Sequence, residues 1–482
     1  MIFSQIETIA ERSPDAVAVF HNDAPVTYSQ FVQDIRKTAA WIGQSGRPSG
    51  DMAGLSIREH YLAWLTLFAL NYHGVNAFAL PTRNPQFSLA AMDLHVAYYD
   101  ENDAHKAQYA ELECRHVPSL DKMRKSDPQD INGSRAPNGH IYLSTSGSTG
   151  DYKLVKFDAP HAKGTALGFD CNEKTVYYGS KQFGLWTGLA VKRQVATWLS
   201  GGAVILDGRP DAAEHIFHRR FTFIELTLPL LADLEKAGVS LPSMLDPPDV
   251  RIGGAHVPSR ALGQARKIFG SRVKPVYSAT ELIPPVLEWV PGDDMRLFRP
   301  ANGRLIDVVD DSGASCPPGS EGLLKIGLSE GDARSYVDDE AGSVKAFRDG
   351  FFWPGDIAVR SEDGAVRILG KTSDVIIIGG DKYPLSPLEE KLAAALGVDA
   401  CCAFPHVRQD GSTFLLVALS KVPPTSTAVD DVVTEIFPGF KETAWRSYEA
   451  FPVKGVGKVD RPLLKKWIES DLKDRLIASP GS

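Results

Sequence analysis

The residues best suited to chemistry lie together in the stretch Ser144-Thr145-Ser146-Gly147-Ser148-Thr149-Gly150-Asp151-Tyr152-Lys153. Five small hydroxyl residues, two glycines and a closing lysine share these ten positions. Glycine lets backbone approach a ligand closely, hydroxyls and amide N–H groups donate hydrogen bonds, and lysine brings positive charge. That composition suits a loop wrapped around a polyphosphate. The spacing excludes a Walker A loop, because Tyr152 stands where the second glycine is needed and no Ser or Thr follows the lysine. A solvated Ser/Gly turn has the same composition, so the reading depends on what the rest of the chain carries.

The elements around this stretch alternate. Its apolar lead-in Ile141-Tyr142-Leu143 reads as a strand end. Earlier, Phe31, Ile35, Ala39 and Ile42 fall at helical spacing after Thr27-Tyr28. Met52 to Ile57 reads as a strand, Tyr61 to Tyr72 as an apolar helix and Val75 to Leu80 as a strand, which is a βαβ unit and implies a parallel sheet. Asp100 to Asn138 is polar and rich in breakers, and is expected to be connecting structure. Gly201 to Leu206 and Phe221 to Leu226 read as strands, Leu228 to Ala237 as a helix. Gly303 to Val309 and Gly322 to Gly327 suggest a small β subdomain, and from Val375 an α+β module follows. In that module Gly380 to Leu385 reads as a loop and Pro387 to Leu396 as a helix. The fold class is therefore α/β.

At 482 residues the chain is too long for one core, and roughly 150 residues per domain suggests about three folding units. Hydrophobic residues at 43% and charged residues at 23% exclude a disordered chain. The net charge of -8 argues against nucleic acid as a partner. Five cysteines without a Cys-x-x-Cys spacing give neither a zinc site nor a disulfide framework, and Cys401 and Cys402 are expected to be buried thiols. The N-terminus lacks a basic, signal-like start, and the longest apolar stretch, near Leu62 to Leu70, is too short to span a bilayer. No membrane insertion and a cytoplasmic location are expected.

Further fragments follow in order: Lys181 to Gly188, Gly253-Gly254-Ala255-His256, Tyr277-Ser278-Ala279-Thr280-Glu281, Phe352-Trp353-Pro354-Gly355-Asp356, Gly370-Lys371-Thr372-Ser373-Asp374 and Phe451 to Arg461. With Ser144 to Lys153, this series resembles the adenylate-forming superfamily of acyl- and aryl-CoA synthetases, peptide-synthetase adenylation domains and luciferases. The resemblance covers nearly the whole chain. It departs from the family pattern at Tyr152 (proline in the family), Ser278 (glycine), Lys371 (arginine) and Ser373 (aspartate).

The resemblance implies an N-terminal adenylate-forming domain over residues 1–370 that includes the small β subdomain, a hinge at 371–374 centred on Ser373, and a small mobile C-terminal domain over 375–482. It also implies roles. Thr145, Ser146, Gly147, Ser148, Thr149, Gly150 and Lys153 would hold the phosphates of ATP. Tyr277 would stack on adenine, with Gly254, Ala255, Ser278 and Ala279 beside it. Thr280 would bond the α-phosphate and Glu281 would hold Mg²⁺, a fitting task because a hard cation takes carboxylate oxygen alongside phosphate. Asp356 would accept from both ribose hydroxyls, two acceptors meeting two donors, with Lys371 nearby. Lys458 would enter the site for adenylation, where carboxylate meets triphosphate and a placed ammonium offsets anion against anion.

Phe183, Gly184, Trp186, Gly253 and His256 would line the acid pocket. Phe183 and Trp186 fit a core role equally well, and a strand-to-helix turn explains Gly253 and Gly254 equally well. Amino-acid-activating members carry an aspartate where this chain has Gly184, so no carboxylate stands ready for a buried ammonium and an α-amino acid is disfavoured. The implied activity is an acid–thiol ligase that forms an acyl-adenylate from ATP, releases pyrophosphate and passes an aliphatic or aryl acyl group to coenzyme A. A separate carrier protein's phosphopantetheine is the alternative acceptor. A reading of another class is a relative that binds nucleotide without catalysis, against which Thr280, Glu281, Asp356 and Lys458 stand.

Overall fold

The computed structural model describes residues 2–44, 52–80, 94, 96–100, 112–125, 139–146, 152–157, 170–180, 184–185, 187–254, 257–301, 303–378, 381–407, 413–422, 427–436, 443–454 and 458–472. It is a mixed α/β structure with two compact units, one made of Met1–Met295, Pro300–Leu305 and Gly327–Phe352, the other of Arg296–Arg299, Ile306–Ile326 and Trp353–Ser482.

The first unit holds a six-stranded sheet in the order Glu113–His116, Val96–Tyr99, Met52–Ser56, Asn76–Ala79, Ile141–Ser146, Tyr152–Phe157. Met52–Ser56 and Asn76–Ala79 run parallel on either side of the helix His60–Tyr72, the βαβ unit expected from the sequence. That helix starts where the Glu59 carboxylate accepts from the Tyr61 and Leu62 N–H groups. Every residue from His60 to Leu70 is buried, as an all-round apolar helix demands. Asp100 to Asn138, expected as connection, contributes the strand Glu113–His116 and the helix Leu120–Lys125. The strand is polar because it lies at the sheet edge with both ends exposed, so no apolar alternation marks it.

A second sheet in this unit runs Leu287–Trp289, Val273–Tyr277, Asp249–Ile252, Phe223–Leu226, Val176–Ser180, Ala203–Asp207, Val17–His21, Ala24–Thr27. Its central strands pair in parallel, and the helix Gly188–Leu199 packs against it. Trp64, Phe68, Trp198 and Phe31 meet between the helices in edge, stacked and tilted contacts.

In the second unit Ile306–Val309, Glu321–Gly327, Asp356–Arg360, Val366–Lys371 and Leu297–Pro300 pair antiparallel in that order. The α+β module follows. Gly380 to Leu385 is not the expected loop: Asp381–Pro384 is a strand paired with Val375–Ile378, with residues 379 and 380 outside the described ones. The next helix is Leu385–Leu396, so Pro387 sits in its first turn, where a missing N–H costs nothing. The sheet Cys401–Val407, Thr413–Leu419, Thr443–Ser447 has a core on each face. Cys401, Ala403, Leu415 and Val417 meet the helix Leu385–Leu396 on one side, while Cys402, Phe404, Leu416 and Ala418 meet the helix Arg461–Asp471 on the other.

Candidate active site

The Ser144 to Lys153 stretch is a β-hairpin. Thr145 lies opposite Lys153 and Ser146 opposite Tyr152, so both ends of the stretch are strand, with residues 147–151 outside the described ones. Gly147, Ser148, Thr149 and Gly150 lie outside the described residues. The pairing aims Lys153 at a defined neighbourhood. Its Nζ lies 3.0 Å from the Asp339 carboxylate and 4.5 Å above the Tyr336 ring. Asp339 caps the helix Glu340–Ala346 by accepting from the Gly342 N–H at 2.8 Å. That bond first, and the Lys153 ammonium second, hold its carboxyl below the usual carboxylate range. A Cβ at position 342 would stand where the Asp339 carboxylate and the Lys153 ammonium now lie, so a side chain there would displace both.

Tyr336 carries the connection onward. Its hydroxyl donates to Glu281 Oε1 at 2.9 Å. Burial, and then the charge of Glu281, push this phenol above its usual range, so it stays a donor. Lys153 and Glu281, distant in sequence, thereby share one side chain. Glu281 itself is buried, 7% exposed, and follows the strand Val273–Tyr277 in a turn closed by the Leu282 N–H on Ala279 O. Tyr277 ends that strand, half-buried, and Ser278, Ala279 and Thr280 lead into the turn.

The turn is strapped from behind. Lys192, on the helix Gly188–Leu199, donates to Thr280 O at 2.7 Å and Leu282 O at 2.8 Å. Asp332 accepts from the Ile283 N–H at 2.6 Å and from the Ser329 N–H at 2.7 Å, and forms an ion pair with Arg304, which in turn donates to Ile283 O at 2.8 Å. Asp332 and Arg304 are both buried, and so is Lys192. The sequence reading missed these three. Lys192-Arg193-Gln194 could have been noticed as three polar residues inside an apolar helix, but their partners lie far away along the chain.

Gly184 accepts, through its carbonyl, from the Thr187 N–H at 3.0 Å, and Thr187 then caps the helix Gly188–Leu199. Position 184 is thus tied to the start of that helix. Gly253 follows the strand Asp249–Ile252 so closely packed that a Cβ would stand 2.8 Å from Val276 Cγ2, and Gly254 has φ +86°, a left-handed backbone that favours glycine. Ala255, His256, Phe183 and Trp186 lie outside the described residues.

In the second unit Asp356 and Lys371 come together. They are opposite each other on paired strands, with Lys371 Nζ 2.9 Å from Asp356 Oδ1 and 2.9 Å from Pro354 O. Asp356 is buried while Lys371 is 42% exposed. Ser373 lies exposed in the short 3₁₀ turn Thr372–Asp374, and its hydroxyl donates to Asp374 at 3.3 Å. Asp374 is 3.6 Å from Arg461, which pairs with the half-buried Glu389 at 2.8 Å and donates to Ala403 O. Burial, over the opposing pull of Arg461, pushes the Glu389 carboxyl up. Lys458 is exposed in the short strand Lys458–Val459, opposite Lys454 in the pair with Val453–Lys454. Two residues on, Asp460 caps the helix Arg461–Asp471 by accepting from the Leu463 N–H.

Among the described residues no group of three or more His, Cys, Asp or Glu side chains could hold a metal. The donor set fits Mg²⁺ carried by a nucleotide, since that ion takes one or two protein carboxylates and completes its shell with phosphates and water. Glu281, buried and held by Tyr336, is such a carboxylate.

The chain belongs to the AMP-binding enzyme family, whose model matches residues 6–336, and so to the adenylate-forming superfamily of AMP-forming ligases. Among its relatives, pyochelin synthase PchD of Pseudomonas aeruginosa (strain UCBPP-PA14) is 25% identical, with 97% of this chain and 92% of that protein covered. A 2-succinylbenzoate–CoA ligase of Bacillus licheniformis is 24% identical over 78% of this chain and 80% of its own length. The solved structure of o-succinylbenzoate CoA synthetase (MenE) from Bacillus subtilis, in complex with the acyl-adenylate intermediate OSB-AMP, matches with a TM-score of 0.80 at 19% identity, covering 96% of this chain and 97% of that one. At that identity the likeness shows the fold. Among the described residues no helix is long and apolar enough to cross a membrane.

Proposed function

We propose that the protein is an acid–thiol ligase that works through an acyl-adenylate. In the first half-reaction a carboxylate oxygen of the acid bonds to the α-phosphorus of MgATP as the bridge to the β-phosphate breaks, and pyrophosphate leaves. Lys153 and the residues from Thr145 to Gly150 hold phosphate oxygens, Thr280 bonds the α-phosphate, and Glu281 would hold Mg²⁺. Tyr277 lies on the adenine beside Gly254, Asp356 and Lys371 take the ribose, and Lys458 offsets the charge gathering as carboxylate meets phosphate. In the second half-reaction the C-terminal module turns about Ser373, a thiol sulfur bonds to the acyl carbon, and AMP leaves with the oxygen of the broken anhydride. Closure shields that anhydride from water.

The observation that carries this reading is the chain of contacts from Lys153 over the Tyr336 ring to the Tyr336 hydroxyl on Glu281, which joins the phosphate hairpin to the metal carboxylate. Coenzyme A is the proposed thiol and a carboxylic acid with an uncharged aliphatic or aryl tail the proposed substrate, the latter because Gly184 offers no charge. The likeness to pyochelin synthase PchD over most of its length supports a second reading, in which a separate carrier protein's phosphopantetheine takes the acyl group. The test is ATP–pyrophosphate exchange across a panel of carboxylic acids, followed by thioester formation with coenzyme A alone. Exchange with at least one acid is expected; a silent panel in the presence of tight ATP binding would instead mark a nucleotide-binding protein without ligase activity. Exchange without thioester would move the acceptor to a carrier protein.

A further inference from the structure

The turn that presents Thr280 and Glu281 lies inside the protein, where backbone oxygens need donors. Every carbonyl from Ala279 to Ile283 has one. Ala279 O accepts from the Leu282 N–H at 3.2 Å, Glu281 O from the Ala333 N–H at 2.8 Å, and Ile283 O from Arg304 at 2.8 Å. The remaining two, Thr280 O and Leu282 O, both go to the ammonium of Lys192, at 2.7 and 2.8 Å. Lys192 is 3% exposed, on a helix whose Ala190, Val191 and Val195 are core residues. One helical turn earlier on the same face, Gly188 lies against the turn too. A Cβ there would stand 3.3 Å from Thr280 Cγ2 and 3.4 Å from Thr280 Cα.

We propose that the helix face bearing Gly188 and Lys192 is the positioning device of this turn. Lys192 is its positioning residue, gripping the carbonyls on both sides of Glu281 so that the Thr280 hydroxyl and the Glu281 carboxylate keep one direction. The inference rests on the adenylation reading above. Filling space does not call for this lysine, because a methionine occupies similar volume without a buried charge. Burial lowers the Lys192 ammonium to about 8, against the opposing pull of Asp332 and Glu281, so the cation is kept at a cost. What it supplies and methionine does not is a fixed distance to two carbonyls at once. The same helix begins at the Gly184–Thr187 cap, so one rigid rod links the pocket segment to the turn.

Two variants of the full chain test this, Lys192→Met and Gly188→Ala, with the wild type beside them. Adenylation is read by ATP–pyrophosphate exchange, and the second half-reaction by thioester formation from preformed acyl-adenylate and coenzyme A. The Mg²⁺ dependence of binding is read by titration with a fluorescent ATP analogue, and folding by melting temperature. For Lys192→Met the adenylation kcat is expected to fall about 100-fold, the penalty typical of a misplaced catalytic group. The Mg²⁺ concentration needed for half-maximal nucleotide binding is expected to rise, while the KM for the acid and the thioester step stay within about threefold of wild type. Gly188→Ala, which pushes on Thr280 but leaves both Lys192 hydrogen bonds in place, is expected to give the same split at smaller size. It decides the matter alone should Lys192→Met fail to fold. Variants that adenylate within threefold of the wild type, or lose both half-reactions in step with their melting temperature, overturn the positioning role and leave the ligase reading standing. A wild type without exchange for any acid overturns the ligase reading and this inference with it.

Discussion

Asp356→Asn separates a ribose ligand from a structural carboxylate, and the structure sets the size of each effect. The carboxylate is 7% exposed and its partner Lys371 is 42% exposed, 2.9 Å away. Removing the charge leaves Lys371 partly solvated with Pro354 O still accepting from it, and asparagine keeps the shape of the buried side chain, so the fold should lose about 1 kcal/mol. The binding effect is larger. A hydrogen bond to a charged acceptor contributes roughly 1.5–3 kcal/mol, and asparagine offers one neutral acceptor oxygen where aspartate offers two charged ones. At 1.36 kcal/mol per decade the loss corresponds to about a 10- to 150-fold rise in the KM for ATP. ATP–pyrophosphate exchange measures that KM, thermal melting measures the fold, and 2′-deoxy-ATP closes the cycle. The wild type should suffer a comparable penalty with the deoxy-nucleotide, and Asp356→Asn should suffer little further. A variant whose KM stays within twofold of wild type, or that discriminates against 2′-deoxy-ATP as strongly as wild type does, refutes the assignment of Asp356 to the ribose.

Lys458→Ala should abolish pyrophosphate exchange and leave thioester formation from preformed adenylate largely intact; equal loss of both half-reactions would contradict a role confined to adenylation. Asp332→Ala leaves the buried Arg304 without its carboxylate and should cost about 3–5 kcal/mol, read as a shift in the urea midpoint. Gly370→Ala puts a Cβ 2.9 Å from Ser386 Oγ at a φ of +146° and should cost about 1–3 kcal/mol, with Ser386→Gly relieving only the contact. Burial lowers Lys192 from 10.5 to about 8, so between those values the unfolded chain binds more protons and wild-type stability should rise with pH, by up to about 3 kcal/mol. Urea midpoints of wild type and Lys192→Met at about pH 7.5 and 10 check this, since the variant lacks that contribution.

Much of the architecture can be read from residue order because local patterns produced it. Met52–Ser56, the helix His60–Tyr72 and Asn76–Ala79 follow apolar runs whose lengths and period decide their type. The edge strand Glu113–His116 and the strand Asp381–Pro384 escape such reading, the first because half-solvated edges carry polar residues, the second because Asp, Lys and Pro are poor strand formers that a partner strand nonetheless holds. Of the candidate site, Lys153 and Glu281 are visible through their motifs. Tyr336, Asp339, Lys192, Asp332 and Arg304 are not, since each matters only through a partner brought near by folding. A single sequence holds no record of those pairings.

Cys401 and Cys402 are adjacent in sequence yet belong to different cores of the module that carries Lys458. Both thiols are buried and held above their ordinary range by burial, so neither reacts until its own layer opens. Val459, beside Lys458, packs into the Cys402 layer, whereas the helix after the Asp381–Pro384 strand covers Cys401. Alkylation kinetics at these two sulfurs, followed by mass spectrometry, would therefore act as a pair of gauges a single residue apart. One records loosening of the layer into which Val459 packs and the other loosening of the layer beneath the helix Leu385–Leu396.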